Sequence, residues 1–233
     1  MSDLRFEIAP DAQGTAHAAA AFVARNASAA VSERGVFAVA FSGGSTPAQM
    51  LALLGEVDVP WAEMHVFQVD ERVAPAGDAA RNLNMLETGL LLPGRLPVAN
   101  LHPMPVLGAD PDTAALAYAD ELRACCGAEA VLDLVHLGLG DDGHTASLVP
   151  GDACLAISDR DVAMTAMYRG HRRMTLTYPA LNRARARLWL ANGADKAAML
   201  SRLRDADETI PAGRVARSNS VIFCDSAAAN AMI

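Results

Sequence analysis

Five apolar runs, separated by stretches long enough for helices, constrain this chain more than any other feature. They are Val36-Phe37-Ala38-Val39-Ala40-Phe41, Met64 to Val69, Val131-Leu132-Asp133-Leu134-Val135-His136, Leu188-Trp189-Leu190-Ala191 and Ser220 to Cys224. Runs of this length with little polar alternation read as strands buried on both faces. Between them, residues 11–32 are Ala-rich and helical in pattern, and Thr46-Pro47 supplies an N-cap and a first-turn proline. Asn82 to Leu92 reads as helix, Asp110-Pro111 caps a helix running to about Cys126, a helix begins near Asp195-Lys196, and Asp225 caps a last one. Asn100 to Met104 is a short extended piece, Asp161 to Tyr168 and Arg173 to Tyr178 are strand-like, and Pro179 starts a short helix. Such alternation predicts an α/β fold: a mostly parallel sheet with helices on both faces. No internal repeat or low-complexity linker interrupts it, and Pro93 to Pro105 is the place for a long loop. The expectation is a single domain over residues 1–233.

Composition narrows the function classes. Hydrophobic residues make up 52% of the chain and charged residues 20%, enough for a sizeable core. The net charge of −8 argues against a nucleic-acid binder, which needs a basic face. No apolar run reaches membrane-span length, and MSDLRFEIAPDAQ lacks the basic and apolar regions of a signal peptide. Cys125, Cys126, Cys154 and Cys224 form no C-x-x-C pair, so neither a disulfide framework nor a metal cluster is expected. A reduced, cytoplasmic protein without nucleic-acid or membrane partners is the simplest account. Its state, monomer or homodimer, is left open.

In a Rossmann-like, doubly wound sheet, ligands collect at the carboxyl ends of strands. The third apolar run leads there into Leu137 to Gly151, LGLGDDGHTASLVPG. Gly138, Gly140 and Gly143 break regular structure, and Asp141, Asp142 and His144 sit within four residues of one another. GLGDDG fits the dinucleotide pattern G-x-G-x-x-G, and Asp159 and Asp161 stand about where a ribose-binding acid would. Two carboxylates beside the backbone N–H groups would, however, repel a pyrophosphate. The glycines better serve a sharply turning catalytic loop. His144, after a glycine and beside acids that can orient it, is the general-base candidate, and Asp142 its partner. The competing reading is a helix-start histidine bonded to Asp142. His17, His65, His102, His136 and His171 lack such surroundings, and His136 reads as a core residue. Ser147 lacks a G-x-S-x-G elbow, and Asp142 with His144 are too few ligands for a metal hydrolase.

Three further segments suit an anion. Ser42-Gly43-Gly44-Ser45-Thr46 lies between a strand and a helix N-terminus, where outward N–H groups and hydroxyls favour phosphate. An ordinary capped turn is the competing reading. Arg72, in Asp70-Glu71-Arg72 at the end of the next strand, offers a fork of donors, or else a surface ion pair with its neighbours. The 19 basic residues comprise 18 arginines and a single lysine, Lys196. Where a bias has turned nearly every base into arginine, a remaining lysine suggests a site needing a compact ammonium.

Together, SGGSTP at 42–47, DERVAP at 70–75 with Asn82 behind it, the 137–151 segment, RMTLTYPALNRAR at 173–185 and NGADKAAML at 192–200 resemble the 6-phosphogluconolactonase family. The resemblance runs through nearly all the chain from about residue 36. It implies a fold shared with glucosamine-6-phosphate deaminases and ribose-5-phosphate isomerase-like proteins. It also implies hydrolysis of 6-phospho-D-glucono-1,5-lactone, the second step of the pentose phosphate pathway; a scheme with His144 as base requires neither cofactor nor metal. By the same resemblance His144 is catalytic, Arg72 and Lys196 lie at the substrate phosphate, Gly43, Gly44, Ser45 and Thr46 form the phosphate loop, and Arg173 precedes the T-L-T strand near substrate. Val149 and Arg81 depart from residues common in the family and bear on pocket shape. Deaminase or isomerase chemistry of the same fold, or a non-catalytic sugar-phosphate sensor, are the alternatives. A valine at 149, where deaminases carry glutamate, speaks against the first, and His144 against the second.

Overall fold

Each of the five apolar runs becomes a strand of one sheet, and two short N-terminal and edge segments complete it. The computed structural model describes residues 4–108 and 110–230. In chain order the elements are β1 (Arg5–Ala9), α1 (Ala12–Arg34), β2 (Phe37–Phe41), α2 (Ser45–Leu54), β3 (Met64–Gln68), β4 (Asp70–Arg72), α3 (Leu83–Leu86), β5 (Leu101–His102) and α4 (Pro111–Cys126). Then follow β6 (Leu134–Gly138), β7 (Val162–Met164), β8 (Arg173–Leu176), α5 (Tyr178–Arg183), β9 (Ala186–Ala191), α6 (Ala197–Arg204), β10 (Ser220–Asp225) and α7 (Ser226–Ala229). Seven strands pair in the order β1-β10-β9-β6-β2-β3-β5, every pair parallel.

Side-chain alternation along the central strands divides the core in two. Phe37, Val39, Phe41, Leu134, Leu188, Leu190, Val221 and Phe223 face a layer built from α1 and α2, with Phe22, Val23, Met50, Leu51 and Leu54. Ala38, Ala40, Val135, Leu137, Trp189, Ala191, Ile222 and Cys224 face the other layer, with Tyr118 and Leu122 of α4, Leu181 of α5 and Leu200 of α6. Both faces are covered, which is why these runs carry no polar alternation.

Chain order fixes where a ligand can enter. From β2 the chain moves outward through β3 and β5, then returns to lay β6 on the other side of β2 and continues through β9 and β10. The loops after β2 and β6 therefore leave in opposite directions, opening a crevice at their carboxyl ends.

Several expected boundaries move. Helix α2 starts at Ser45, not after a Thr46 cap: Gly44 is the N-cap, with φ of 127°, a conformation suited to glycine. Pro47 becomes the third helical residue, where its missing N–H is still one that no carbonyl within the helix would accept. The 82–92 helix is α3 followed by a π-helical turn, Glu87–Leu91. Near Lys196 a 3₁₀ turn, Ala194–Lys196, precedes α6. Of Asp161 to Tyr168 only β7 is strand, because the Ala166 N–H turns away to the Asp152 carboxylate at 3.0 Å.

A second, antiparallel sheet, β4-β8-β7, was not anticipated. Asp70-Glu71-Arg72 is its own strand rather than the tail of β3, and it sets Arg72 opposite Arg173. Between β7 and β8 the chain reverses at Tyr168–His171, with φ of 46° at Arg169 and 85° at Gly170. Two successive positive φ values match the tight turn favoured in hairpins.

Candidate active site

The crevice between the β2 and β6 loops holds a pocket of about 290 Å³. Ser42, Gly43, Asp70, Arg72, Asn82, Gly140, Asp141, His144, Arg169, Arg173, Asp195 and Lys196 are among its lining residues. A larger cleft of about 980 Å³, with Arg5, Arg34, Asp133, Arg187 and Asn219, lies at the amino ends of the strands, away from the switch point. The smaller pocket has the position and the chemistry of a site.

His144 reaches it from a tight turn. Gly143 takes φ of 81°, and the Gly140 N–H donates to the His144 carbonyl at 2.8 Å. The imidazole lies directly over Gly140, so that a Cβ there would come within 2.0 Å of Nδ1. Asp142 Oδ1 lies 2.5 Å from His144 Nδ1 and also accepts the His144 backbone N–H at 3.0 Å. Asp142 Oδ2 accepts the Tyr168 hydroxyl at 2.8 Å. Burial pushes the Asp142 carboxyl up, but the bonds from the His144 N–H, the His144 ring and Tyr168 outweigh it and hold the pKa at about 2. An ionised carboxylate only accepts, so it fixes the proton on Nδ1 and leaves Nε2 as the basic nitrogen. His144 is not at a helix start: residues 141–148 are turns and an isolated bridge.

The second sheet supplies two of the cationic residues, Arg72 and Arg173. Arg72 Nη1 donates to the Ala80 carbonyl at 2.7 Å. Beneath it, buried Glu71 ties the 72–83 loop down, accepting from the N–H groups of Arg72, Asn82 and Leu83 and pairing with Arg81 at 3.0 Å. Arg173 donates to Ser147 Oγ at 3.4 Å, and its guanidinium sits 5.1 Å from the Tyr168 ring centre. Burial lowers its pKa. Asp70, 4% exposed, accepts from Ser147 Oγ at 2.5 Å. Burial pushes its carboxyl above the ordinary range, against the Ser147 bond and the nearby Arg173 and Arg72 charges. Lys196 lies 3.5 Å from Asp195 where the 3₁₀ turn meets α6.

The 42–46 loop is only partly in the pocket. Ser42 and Gly43 line it, Gly44 lines a neighbouring cleft that also touches Arg72 and Asn82, and Ser45 and Thr46 form the first turn of α2 outside both linings. A Cβ on Gly43 would meet Asn82 Oδ1 at 2.0 Å, so loop and asparagine pack backbone to side chain. The Ser42 N–H donates to His136 Nδ1 at 3.2 Å. Burial pushes the His136 pKa down to about 3, so this core imidazole stays neutral and able to accept.

Two lining or orienting residues, Tyr168 and Arg169, escaped the sequence reading. Their signal is the hairpin turn: Arg169-Gly170 bends the chain so that Tyr168 meets Asp142 and Arg169 pairs with Asp141 at 2.7 Å. Asp141 also adds a third potential metal donor, since ligand atoms of Asp141, Asp142 and His144 lie within 4.8 Å of one another. Those carboxylates are already engaged by Arg169, Tyr168 and His144, bonds an ion would have to displace.

The model of a family described as glucosamine-6-phosphate isomerases/6-phosphogluconolactonase matches residues 10–223. The chain belongs to this family. It is similar to the 6-phosphogluconolactonase of Synechocystis, 40% identical over 171 residues covering 72% of this chain and 71% of the relative. It is also similar to that of Mycobacterium tuberculosis, 35% identical over 237 residues and 96% of each chain. Among solved structures, 6-phosphogluconolactonase from Trypanosoma cruzi superposes with a TM-score of 0.88 at 26% identity, covering 99% of this chain and 97% of that one. Both departures from common family residues lie outside the pocket lining. Val149 is buried, and Arg81 is paired with Glu71.

Proposed function

We propose that this chain hydrolyses 6-phospho-D-glucono-1,5-lactone to 6-phospho-D-gluconate, with His144 as general base. The observation that carries the reading is that His144, backed by Asp142 at 2.5 Å, lines one pocket with Arg72, Arg173 and Lys196. His144 Nε2 takes a proton from water as the oxygen attacks C1 of the lactone. The imidazolium then gives that proton to the departing ring oxygen, O5, and the new carboxylic acid ionises in solvent. Asp142, ionised at neutral pH, holds the ring through Nδ1–H and stabilises the imidazolium. Arg72, Lys196 and the backbone of Gly43 receive the phosphate, with Gly44 and the first turn of α2 at Ser45 and Thr46 directing the helix dipole towards it from behind. Such remote contacts set the carbonyl against the base. Arg173, held by Ser147 beside Tyr168, adds positive charge where the tetrahedral oxyanion forms. The scheme uses neither cofactor nor metal. It describes a single lactonase-like domain in the cytoplasm, monomer or homodimer, acting on a small phosphorylated lactone. Among the described residues no helix is long and apolar enough to cross a membrane.

Pure protein incubated separately with freshly made lactone and with glucosamine 6-phosphate tests the reading, against enzyme-free controls for spontaneous opening. Lactone opening above background with no ammonia release is expected. Ammonia and fructose 6-phosphate at enzymatic rates, with lactone opening at background, would reverse the assignment.

A further inference from the structure

Away from the pocket, three ligand-bearing side chains from three elements converge between the sheet edge and α4. His65 lies on β3, His102 on the edge strand β5, and Cys125 in the last turn of α4. One ligand atom from each falls within 4.8 Å of the others. Register explains the meeting. His102 pairs with Phe67, two residues beyond His65, so the two imidazoles stand on one face of the sheet. Glu121 and Cys125 are four residues apart on α4 and share the side facing them.

The arrangement around His102 is that of a metal-ligating histidine. Its Nδ1 lies 2.6 Å from Glu121 Oε1, its ring stacks on Phe67 at 4.2 Å and 6°, and its carbonyl accepts from the Tyr118 hydroxyl at 3.2 Å. The carboxylate holds the proton on Nδ1 and turns the bare Nε2 towards His65 Nδ1, 2.9 Å away. A carboxylate behind the far nitrogen is the usual outer support of a bound metal. Nothing in the lactone chemistry uses these groups, and none of the four lines the active-site pocket.

We propose that His65, His102 and Cys125 bind a divalent transition-metal ion of the zinc class, with Glu121 orienting His102 and water in the fourth position. Two imidazoles and a thiolate suit such an ion, and harder cations such as Mg²⁺ prefer oxygen. Ligand distances of about 2.0–2.3 Å put tetrahedral donors roughly 3.3–3.6 Å apart. The two nitrogens therefore separate by a few tenths of an ångström, and the Cys125 side chain rotates inward. Protons balance simply: the His65 proton moves from Nδ1 to Nε2, and the Cys125 thiol proton is released to solvent. The bound ion ties edge strand β5 to α4. No short motif announces the site, because its ligands are far apart in sequence and the expectation of no metal rested on cysteine spacing and on the lack of a local ligand motif.

Cobalt(II) titration of the reduced, metal-free protein tests the site, because a thiolate-to-cobalt charge-transfer band reports sulfur ligation. Asp141, Asp142 and His144 contain no sulfur and cannot produce it. One cobalt per chain is expected, with the band present, displaced by Zn²⁺, retained in Cys126→Ser and His144→Asn, and lost in Cys125→Ser. Glu121→Gln should weaken cobalt binding roughly 10- to 100-fold while keeping the band. Circular dichroism of the metal-free variants checks folding, as does lactone hydrolysis for those at residues 121, 125 and 126, and if Cys125→Ser does not fold, a His65→Gln protein that binds cobalt as tightly as the parent overturns the proposal. Absence of the band in the parent protein, its persistence in Cys125→Ser, or its loss in Cys126→Ser instead would overturn the proposal.

Discussion

Gly140 carries the ring of His144: a methyl group on Gly140 would stand 2.0 Å from Nδ1 and 2.3 Å from Cε1. The glycine is needed for proximity, not for a left-handed backbone, since Gly140 is absent from the positive-φ positions. Gly140→Ala must therefore push the imidazole off Asp142. A misplacement of about 1 Å can cost on the order of 100-fold in rate. We expect kcat to fall by about that much, with far-ultraviolet circular dichroism unchanged. A fully active Gly140→Ala enzyme would show that the ring can be placed elsewhere.

Asp142 links the site to acid stability. Its folded pKa of about 2 lies below the ordinary 3.8. A depressed carboxylate contributes stability above its unfolded pKa and loses it as pH falls through the folded value. The melting-temperature gap between the parent protein and Asp142→Asn should thus be full above about pH 5 and shrink towards pH 2. Asp142→Asn should also lower kcat, on the order of 10²–10⁴-fold, by loosening the ring and its tautomer. A gap independent of pH would mean that the carboxylate is not held in its charged form by these bonds.

The same contacts explain what the sequence could and could not reveal. Strands β2, β3, β6, β9 and β10 were legible because burial on both faces leaves unbroken apolar runs. Strand β1 was not, because Arg5-Phe6-Glu7-Ile8-Ala9 pairs at the sheet's edge and keeps polar residues. The three-residue β4 is too short to show a period, so Asp70-Glu71-Arg72 looked like the end of β3. Its antiparallel partner β8 lies far along the chain. His144, Asp142 and Lys196 could be singled out because unusual residue types sit at strand ends. Tyr168 could not, since its meeting with Asp142 depends on a hairpin turn and a register across the pocket.

Lys196 is the lone ammonium among arginines, and it stands at the pocket where the 3₁₀ turn enters α6. Lys196→Ala and Arg72→Ala each remove a charge-assisted contact worth about 1.5–3 kcal/mol, or roughly 10- to 100-fold in kcat/KM. The loss should appear mainly in KM. Lys196→Arg should be impaired too, because a planar fork does not replace a compact ammonium. Steady-state kinetics with the phosphorylated lactone check this. Unchanged kcat/KM in both Lys196 variants would make the lone lysine an accident of composition.

Chelation separates the catalytic scheme from the proposed metal site. Lactone hydrolysis should survive dialysis against EDTA, because His144 acts as base unaided and Asp141 and Asp142 are engaged by Arg169 and Tyr168. Activity lost in chelator and restored by one divalent ion, with the fold intact, would place a metal at Asp141, Asp142 and His144 instead.

The central claim is that His144, held by Asp142, is the base that opens the lactone. Initial rates for the parent enzyme and His144→Ala, measured side by side on fresh 6-phosphogluconolactone and corrected for spontaneous opening, test it most directly. A folded variant is expected whose kcat is lower by about 10²–10⁴-fold, with KM little changed. A folded His144→Ala protein with near-normal kcat would contradict it.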